Sequence, residues 1–589
     1  MGFKDRCNRF LYWVQPNVTV TSPEDFRGRD VNTWDMEEIK VRFADLIDDE
    51  EHEYQPNALQ RTLGQAWDTF RLPPKQRRFM QKLDANILLY ALLSFFIKTL
   101  DNSNISNAYV SGMREDLNLY GNERNLFTTL FNCGYLIGAI PSQVILNRVR
   151  PSVWIPTCEF IWSGLVMAIA GCNSARPIYG IRFMIGFFES VAYPGLALVL
   201  GSWYRPSELA KRMELYDAAW AIASMFSGYI QAGVYSSMNG LAGFAGWQWL
   251  FIIDGIISFP IAWLGYYSIP DFPKNNHSLY LSELEREYSY VRMELVGRKA
   301  PKKLTFRRFI DMFRSWRPYA FLLPWCLFNI NDTTGYFTLW LDSLKIGSLR
   351  RFTVQQVNLI PTGGYAISLV VGYLSANISD RVGHRWAFII HAASWCFLGN
   401  LLLAIWDIPY GLKFFAFFCP DIGYSSWGMM LAWSAEVFQD DTELRGMLPA
   451  VGSTISYAIN AWLPNVIFPT EHAPQYKTGK GYQIISGLLV LEILGVLFML
   501  FMWKREVRLK GRVINKYGLA VDAEEAIILN TVGGETIQQQ EKGLYAISTR
   551  EIHESSEGKS VEILDGVEPV SMKGSDSDSD ADVIKQEKM

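Results

Sequence analysis

Charged side chains stand inside the long apolar runs of this sequence, where burial makes them costly and each one suggests chemistry. Lys98 and Asp101 lie three positions apart late in the first run, so a helix places them on one face. Lys98 is the lysine most deeply embedded in these runs. We expect it to receive the carboxylate of a bound organic anion, while Asp101 neutralises it in the empty site. The alternative is an ion pair that only anchors the end of the run.

A second charged pair stands in the fourth run. Arg182 and Glu189 are seven positions apart, which is two turns along one helix face. Glu189 falls near the middle of the run, where burial disfavours a charged carboxyl group. Because a carboxyl group that takes up and releases a proton can carry it, we expect Glu189 to couple protons, with Arg182 beside it. The alternative is a structural ion pair that keeps Glu189 charged.

Polar residues interrupt the seventh run, among them Asn331, Asp332 and Tyr336, with Gly335 to let a helix bend. We expect these three side chains to form hydrogen bonds with hydroxyl and amide groups of a bound molecule. Asp332 is a second candidate for carrying a proton. Polar side chains also join helices inside a membrane, so a purely structural role is the alternative. Asp254, which follows a Trp-rich turn, is expected near an interface.

The runs that hold these residues are long enough to cross a lipid bilayer. A helix needs about 20 apolar residues to do so, and the 589 residues include 49% hydrophobic and 14% aromatic side chains. We therefore predict an all-α membrane protein with twelve transmembrane helices in two six-helix bundles. The predicted spans lie near residues 84–104, 125–146, 152–171, 176–203, 213–236, 249–270, 318–341, 355–376, 386–406, 413–436, 447–468 and 481–503.

Basic residues predict the orientation of the chain. Lys and Arg concentrate in the segments on the side of both termini, so the positive-inside rule makes both ends cytosolic. The segments before and after the spans are too polar to bury a core and are predicted to be largely disordered. The predicted parts are a cytosolic arm (1–80), a first bundle (81–270), a cytosolic central loop (271–317), a second bundle (318–503) and a disordered cytosolic tail (504–589).

Two basic turns occupy equivalent places in the two halves. The joint after the eighth span reads DRVGHR (380–385), and the joint after the second span reads NRVR (147–150), without the acid and the glycine. Such a turn suits a hinge between two bundles, because the acid can cap a helix end while the arginines exchange partners. The expected gating residues are Asp380, Arg381, Gly383, Arg385 and Arg148.

These turns, in a chain of six plus six spans, resemble the major facilitator superfamily, whose corresponding loops carry G-x-x-x-D-R-x-G-R-R. Three further stretches are similar to the fungal anion:cation symporters of the allantoate permease family: LDNSNISNAYVSGMREDL (100–117), RFMIGFFE (182–189) and GWQWLFIIDG (246–255). The resemblance covers residues 60–505 and is greatest to the pantothenate transporters of fungi, with the biotin transporters next. Many members have Arg after the first-span aspartate, whereas this chain has Asn102.

The resemblance implies a proton-coupled secondary active transporter that imports a small organic anion across the plasma membrane, with pantothenate as the first candidate. The alternatives are biotin, allantoate or ureidosuccinate, and sulfur compounds or dipeptides. We expect a monomer in the lipid bilayer whose partners are the anion and protons. The net charge of −4 argues against nucleic acid. We expect no cofactor, metal or enzymatic activity, and a nutrient sensor that does not transport remains the alternative class.

Overall fold

A computed structural model shows a helical protein in which the only described strands form two short antiparallel pairs. The all-α prediction is therefore confirmed for the described part of the chain. The structure describes residues 36–46, 56–60, 64, 67–146, 149–295, 311–330, 333, 335–346, 349–423, 427–438, 442–477, 480–510, 512–514 and 520–522.

Helices coincide with all six predicted spans of the first half. The first span is flanked by π-helical turns at Asp84–Leu88 and Tyr109–Met113, so one helical stretch extends from residue 74 to residue 116. The fourth span consists of two helices, which meet just before Pro194. The helices of this half and of the segments that flank it are α1 (Met36–Arg42), α2 (Pro74–Leu83), α3 (Leu89–Ala108), α4 (Glu123–Leu146), α5 (Pro151–Ile169), α6 (Ala175–Glu189), α7 (Ala192–Trp203), α8 (Pro206–Met238), α9 (Gly246–Ser268) and α10 (Glu283–Leu295).

Helices also coincide with the six predicted spans of the second half. Here the seventh, eighth, tenth and eleventh spans are each described as two helices. The helices are α11 (Arg317–Ile330), α12 (Tyr336–Ser343), α13 (Val354–Leu359), α14 (Thr362–Val382), α15 (Arg385–Ile405), α16 (Tyr410–Gly423), α17 (Trp427–Val437), α18 (Thr442–Asn460), α19 (Leu463–Ile467) and α20 (Gly481–Leu509), and β1 (Lys345–Ile346) pairs with β2 (Leu349–Arg350) between α12 and α13.

Among the described residues, seven helical stretches are long and apolar enough to cross a membrane by length and composition. They match the first, third, fourth, sixth, eighth, ninth and twelfth predicted spans. The other five spans are either described as two helices or carry polar side chains toward the centre of the protein, which lowers their mean hydropathy. The seven stretches are 74–116, 151–169, 175–203, 246–268, 354–379, 385–405 and 481–509.

The two halves meet along a few helix pairs. In the first half, α4 packs on α6 and α3 packs on both α8 and α9, while α15 packs on α16 and α20 in the second half. Across the halves, α8 contacts α13 and α14, and α4 contacts α18. The spans that line the interface between the bundles are therefore the second, fifth, eighth and eleventh.

Glycines bring the second and fourth spans together at backbone distance. A Cβ atom added to Gly134 would lie 2.0 Å from the carbonyl oxygen of Phe183, and one added to Gly186 would lie 2.1 Å from that of Phe131. Gly138 meets the carbonyl of Phe187 in the same way. Because only glycine permits this approach, these three glycines allow α6, which carries Arg182 and Glu189, to pack directly against α4.

The arm is more ordered than its polar composition predicts. Residues 67–83 form a 3₁₀ turn and α2, and the buried Arg212 of α8 holds this segment by pairing with Asp68 at 3.1 Å and Asp84 at 2.7 Å. Lys82 pairs with Glu285 of the central loop. The predicted disorder of the arm is therefore wrong for residues 67–80, because charged residues far along the chain hold them in place; the arm also contains α1.

The tail also begins later than predicted. Helix α20 continues to Leu509, where Glu506 pairs with Arg317 and, at 3.0 Å, with Lys510. Strand β3 (Arg512–Ile514) then pairs with β4 (Ala520–Asp522). The predicted disorder is therefore wrong for the described residues between 504 and 522. Residues 523–589 lie outside the described residues.

Candidate binding cavity

A cavity of about 980 Å³ lies between the two halves. On the side of the arm it reaches Trp67 and Lys211, and toward the opposite side it ends at Arg124, Tyr336 and Phe468. Eight asparagines line its walls and present amide donors and acceptors: Asn102, Asn107, Asn125, Asn132, Asn329, Asn358, Asn377 and Asn460. Such a volume fits a small organic molecule with several polar groups.

Hydrogen bonds between the halves close the cavity on the side away from the arm. The Asn125 side chain donates to the carbonyl of Phe468 at 2.9 Å, and the Asn465 side chain donates to Thr129 Oγ1 at 2.8 Å. The backbone N–H of Thr470 donates to Asn122 Oδ1 at 2.8 Å. The cavity is therefore reached from the side on which the arm and the central loop lie.

The charges on the cavity wall are mostly positive. The described lining residues include three cations, Lys98, Arg124 and Lys211, and one carboxylate, Asp217. Lys98 is only 7% exposed, and its ammonium lies 5.0 Å from the ring centroid of Tyr135 and 5.8 Å from that of Phe95. Tyr135 in turn stacks on Tyr457 across the interface, with ring centroids 4.1 Å apart. Within the described part of the chain, Lys98 forms no ion pair with a carboxylate.

Asp101 does not pair with Lys98 as the three-residue spacing predicts. It is 1% exposed, neither of its oxygens receives a hydrogen bond within the described part, and its carboxyl group lies against that of Asp254. Asp254 is buried as well and accepts a hydrogen bond from the Asn104 side chain. Two carboxyl groups in contact favour holding one proton between them. The expected ion pair fails because Asp101 is directed toward α9, whereas Lys98 points into the cavity.

Arg182 and Glu189 are joined through Asn102. The Asn102 amide donates to Glu189 Oε1 at 2.9 Å, and Arg182 donates to Asn102 Oδ1 at 3.1 Å. All three residues are buried or half-buried, and Glu189 is fully shielded from solvent. The direct ion pair that was the alternative reading of this motif does not form in the described part, and Glu189 Oε2 and Arg182 Nε have no partner there. Asn102, which stands where many family members have Arg, thus connects Arg182 and Glu189 to the cavity wall.

Tyr336 lies at the closed end of the cavity. Its ring stacks on Phe468 with centroids 4.2 Å apart, and the guanidinium of Arg124 lies 5.9 Å from it. Tyr336 therefore lines the cavity, and its hydrogen bond to a bound molecule stays a prediction. Asn331 and Asp332 lie outside the described residues.

The predicted gating turn ends a helix, and part of it can be described. Gly383 follows α14 with φ at 69°, a left-handed conformation that favours glycine, and its N–H donates to the carbonyl of Ser379 at 2.8 Å. Arg385 pairs with Glu436 of the tenth span. Asp380 and Arg381 lie in α14, but their side chains are outside the described part, as is the whole of Arg148.

Sequence reasoning missed Arg124 and Glu159. Arg124 precedes the predicted start of the second span, so the sequence assigns it to the joint between spans. Glu159 is fully buried in the third span and accepts hydrogen bonds from Tyr90 and, at 2.9 Å, from Ser94. The side chains of Glu159, Tyr90 and Ser94 do not line the cavity, whereas Arg124 does. In the described part of the chain, no group of three or more His, Cys, Asp or Glu side chains is placed to hold a metal ion.

Comparisons with known proteins agree with this architecture. Residues 91–464 match the Major Facilitator Superfamily, which is more than half of the chain. The chain is 35% identical to the MFS transporter PfmaC of Pestalotiopsis fici, over 69% of this chain and 77% of that protein. It is 31% identical to the pantothenate transporter liz1 of Schizosaccharomyces pombe, over 73% of this chain and 84% of that protein.

A solved structure extends the likeness to the fold. The xylose transporter XylE from E. coli matches with a TM-score of 0.51 and 16% identity, covering 71% of this chain and 98% of that one. At this identity the match shows the fold alone, which is the predicted arrangement of two six-helix bundles. The relatives are transporters and not enzymes. The chain therefore belongs to the major facilitator superfamily and is a membrane transporter.

Proposed function

We propose that this transporter is a proton-coupled symporter that imports a small organic anion, with pantothenate as the first candidate substrate. The observation that supports this most strongly is the charge of the cavity. Lys98 faces it without a carboxylate partner in the described part, and cations outnumber carboxylates among the described lining residues by three to one. The charge of Glu189 acts on this ammonium without a direct ion pair in the described part, and a substrate carboxylate in contact with it would compensate the buried charge more fully.

The asparagines of the wall suit the rest of such a substrate. Pantothenate carries hydroxyl groups and an amide besides its carboxylate, and side-chain amides can both donate to and accept from these groups. Tyr336 adds a hydroxyl group at the closed end of the cavity. We retain Lys98, Asn331, Asp332 and Tyr336 as proposed substrate contacts, and move Asp101 from this set to the proton-carrying residues because of its contact with Asp254.

Glu189 is the proposed coupling residue. It is buried beside the cavity wall, and Asn102, which lines the cavity, hydrogen bonds to it. Glu189 carries a negative charge that Arg182 and Lys98 compensate. Protonation of Glu189 would remove this charge and leave Lys98 available to the substrate anion. Asp332 remains a second candidate, and the contact between Asp101 and Asp254 adds a third.

Coupling is needed if the protein imports an anion. A membrane potential that is negative inside opposes the inward movement of one negative charge by about 2.3 kcal/mol for each 100 mV. More than one proton per anion reverses the sign of this term. In our proposal both termini are cytosolic and the protein lies in the plasma membrane, so the cavity of this structure faces the cytosol, as it would when substrate is released.

The proposal is tested by uptake of a panel of labelled carboxylates in cells that lack their own carriers. We expect pantothenate to accumulate, and Lys98→Ala to abolish this although the protein reaches the membrane. Preferred accumulation of biotin, allantoate or ureidosuccinate, or a sulfur compound or dipeptide would replace pantothenate but keep the mechanism. Binding without uptake in sealed vesicles would favour a nutrient sensor, and uptake of uncharged compounds only would refute an anion carrier.

A further inference from the structure

Arg124 is the cation at the closed end of the cavity, and neither the sequence motifs nor the family comparison assigns it a role. It lies in the first turn of α4 and lines the cavity wall. Lys98, the proposed carboxylate contact, lies on α3 in the same cavity. The two cations are thus presented by different spans to one cavity.

Among the residues that the structure describes, the hydrogen bonds of Arg124 leave its charge without a counter-charge. One terminal nitrogen donates to Ser106 Oγ at 3.1 Å and to the carbonyl of Gly335 at 3.5 Å, and the other donates to Asn125 Oδ1 at 3.5 Å. Its buried Nε has no hydrogen-bond partner in the described part. The neighbouring Glu123 is directed elsewhere and accepts from the N–H of Tyr120 and the hydroxyl of Tyr179.

The lack of an acidic partner within the described segments sets Arg124 apart from the guanidinium groups that hold the fold. Arg212 pairs with Asp68 and Asp84, and Arg150 pairs with Asp271. Arg124 instead lies between the rings of Tyr109 and Tyr336, 5.9 Å from each centroid. Aromatic faces attract a cation but leave its N–H groups free to bind oxygen atoms. A guanidinium with an unused donor at a cavity wall is suited to accept an oxygen of a ligand.

We propose that Arg124 is a second binding position, which takes an oxygen acceptor at the far end of a substrate whose carboxylate lies at Lys98. The substrates are then elongated carboxylates that carry a hydroxyl, an amide carbonyl or a second carboxylate at the opposite end. This inference deepens the proposed function and rests on the assignment of Lys98 to the carboxylate. A substrate bound at Arg124 would also act on the closed side of the cavity, because the hydrogen bond from Arg124 to the Gly335 carbonyl joins the two halves there.

The test compares competitors of equal chain length that differ only at the far end. Hexanoate, 6-hydroxyhexanoate and adipate are tested for inhibition of labelled-carboxylate uptake by wild type, Arg124→Gln and Arg124→Lys. In wild type we expect the two compounds with a terminal oxygen to inhibit at least about tenfold better than hexanoate, as a hydrogen bond to a charged group typically provides. In Arg124→Gln this ratio should fall toward one, while Arg124→Lys should keep part of it, since it retains charge but not the planar fork.

Arg114→Gln is the matched control. Arg114 is exposed, stacks on the same Tyr109 ring at 6.0 Å and does not line the cavity, so its loss removes one charge from this region but should leave the ratio unchanged. If Arg124→Gln weakens all three competitors equally, or leaves the ratio as in wild type, Arg124 has only a structural role and the inference is wrong.

Binding to purified protein separates this inference from the proposed function. The same three compounds are assayed by their effect on thermal stability in detergent, which needs no transport. If wild type transports no carboxylate yet binds 6-hydroxyhexanoate better than hexanoate through Arg124, the proposed symport fails and the second position stands. If wild-type protein transports carboxylates but never distinguishes the far end, the second position fails alone. If none of the three compounds binds although wild type still transports a labelled carboxylate, the second position fails and the proposed function stands.

Discussion

Substitution of Lys98 by alanine tests the carboxylate site most directly. Lys98 is 7% exposed and its ammonium lies over aromatic rings, so a substrate carboxylate beside it would form a buried charged pair. Loss of one partner from such a pair typically costs about 3–5 kcal/mol. Since about 1.4 kcal/mol is a factor of ten, we expect apparent affinity to fall by two to more than three powers of ten. Lys98→Arg should be milder, because a planar fork does not occupy the place of a compact ammonium.

The assay is exchange of labelled substrate across vesicles, in which apparent affinity is measured without a requirement for net proton movement. Lys413→Ala is a matched control, because Lys413 also lies over an aromatic ring, that of Trp406 at 4.7 Å, but does not line the cavity. We expect this control to exchange substrate with wild-type affinity. An equal loss of affinity in the control would show that the effect of Lys98→Ala is not specific to the cavity.

A double substitution separates the two roles that Lys98 could have. The charge of Lys98 also acts on Glu189, so the alternative is that Lys98→Ala impairs transport only by leaving Glu189 uncompensated. If so, Lys98→Ala combined with Glu189→Gln removes both charges and should restore affinity. If Lys98 binds the carboxylate, the double variant should remain as weak as Lys98→Ala. Wild-type affinity in the double variant would refute a carboxylate site at Lys98.

Three further outcomes are expected. Uptake should rise as external pH falls from about 7 to about 5 and collapse with a protonophore, because a coupling carboxyl group must be protonated from outside; uptake indifferent to both treatments would indicate another driving force. Glu189→Gln should keep exchange but lose uphill accumulation, since a permanently neutral group cannot respond to the proton gradient, and normal accumulation would move the coupling role to Asp332 or to the contact between Asp101 and Asp254. Gly186→Ala should destabilise the protein by about 1–3 kcal/mol or more, because the added Cβ would lie 2.1 Å from the carbonyl oxygen of Phe131. The loss is measured as a fall in Tm. Gly180→Ala in the same helix is the control: its Cβ would meet nothing within 4 Å, so this variant should be neutral or stabilising.

The sequence predicts the spans well because hydrophobic runs and their breaks are local signals. Every predicted span coincides with one helix or with a pair of helices. Tyr336 of the polar seventh-span motif lines the cavity, and its contact with a bound molecule stays a prediction. The family was also predicted correctly, since its motifs are short stretches that can be recognised without knowledge of contacts.

Partners distant in the sequence could not be predicted in this way. Helical spacing predicted that Lys98 and Asp101 pair, but it could not show that Asp254, about 150 residues later, would lie against Asp101. Composition predicted disorder for the arm, because a polar segment cannot bury a core of its own. It could not show that Arg212 offers this segment a buried guanidinium, which Asp68 and Asp84 neutralise.

The partners of the charged groups indicate which of them can respond to a ligand. Arg212 and Arg150 are paired with carboxylates on the arm side, and breaking such pairs would leave an uncompensated charge, so they serve the fold. Arg182 and Glu189 are joined by a neutral amide, which can keep its hydrogen bond whether Glu189 is charged or protonated. Lys98 and Arg124 face the cavity with no carboxylate partner in the described part, so a bound anion can gain the most from them. In our proposal, the residues that bind substrate and protons therefore lie at the centre of the protein, and the carboxylate-paired arginines that hold the fold lie at the arm side.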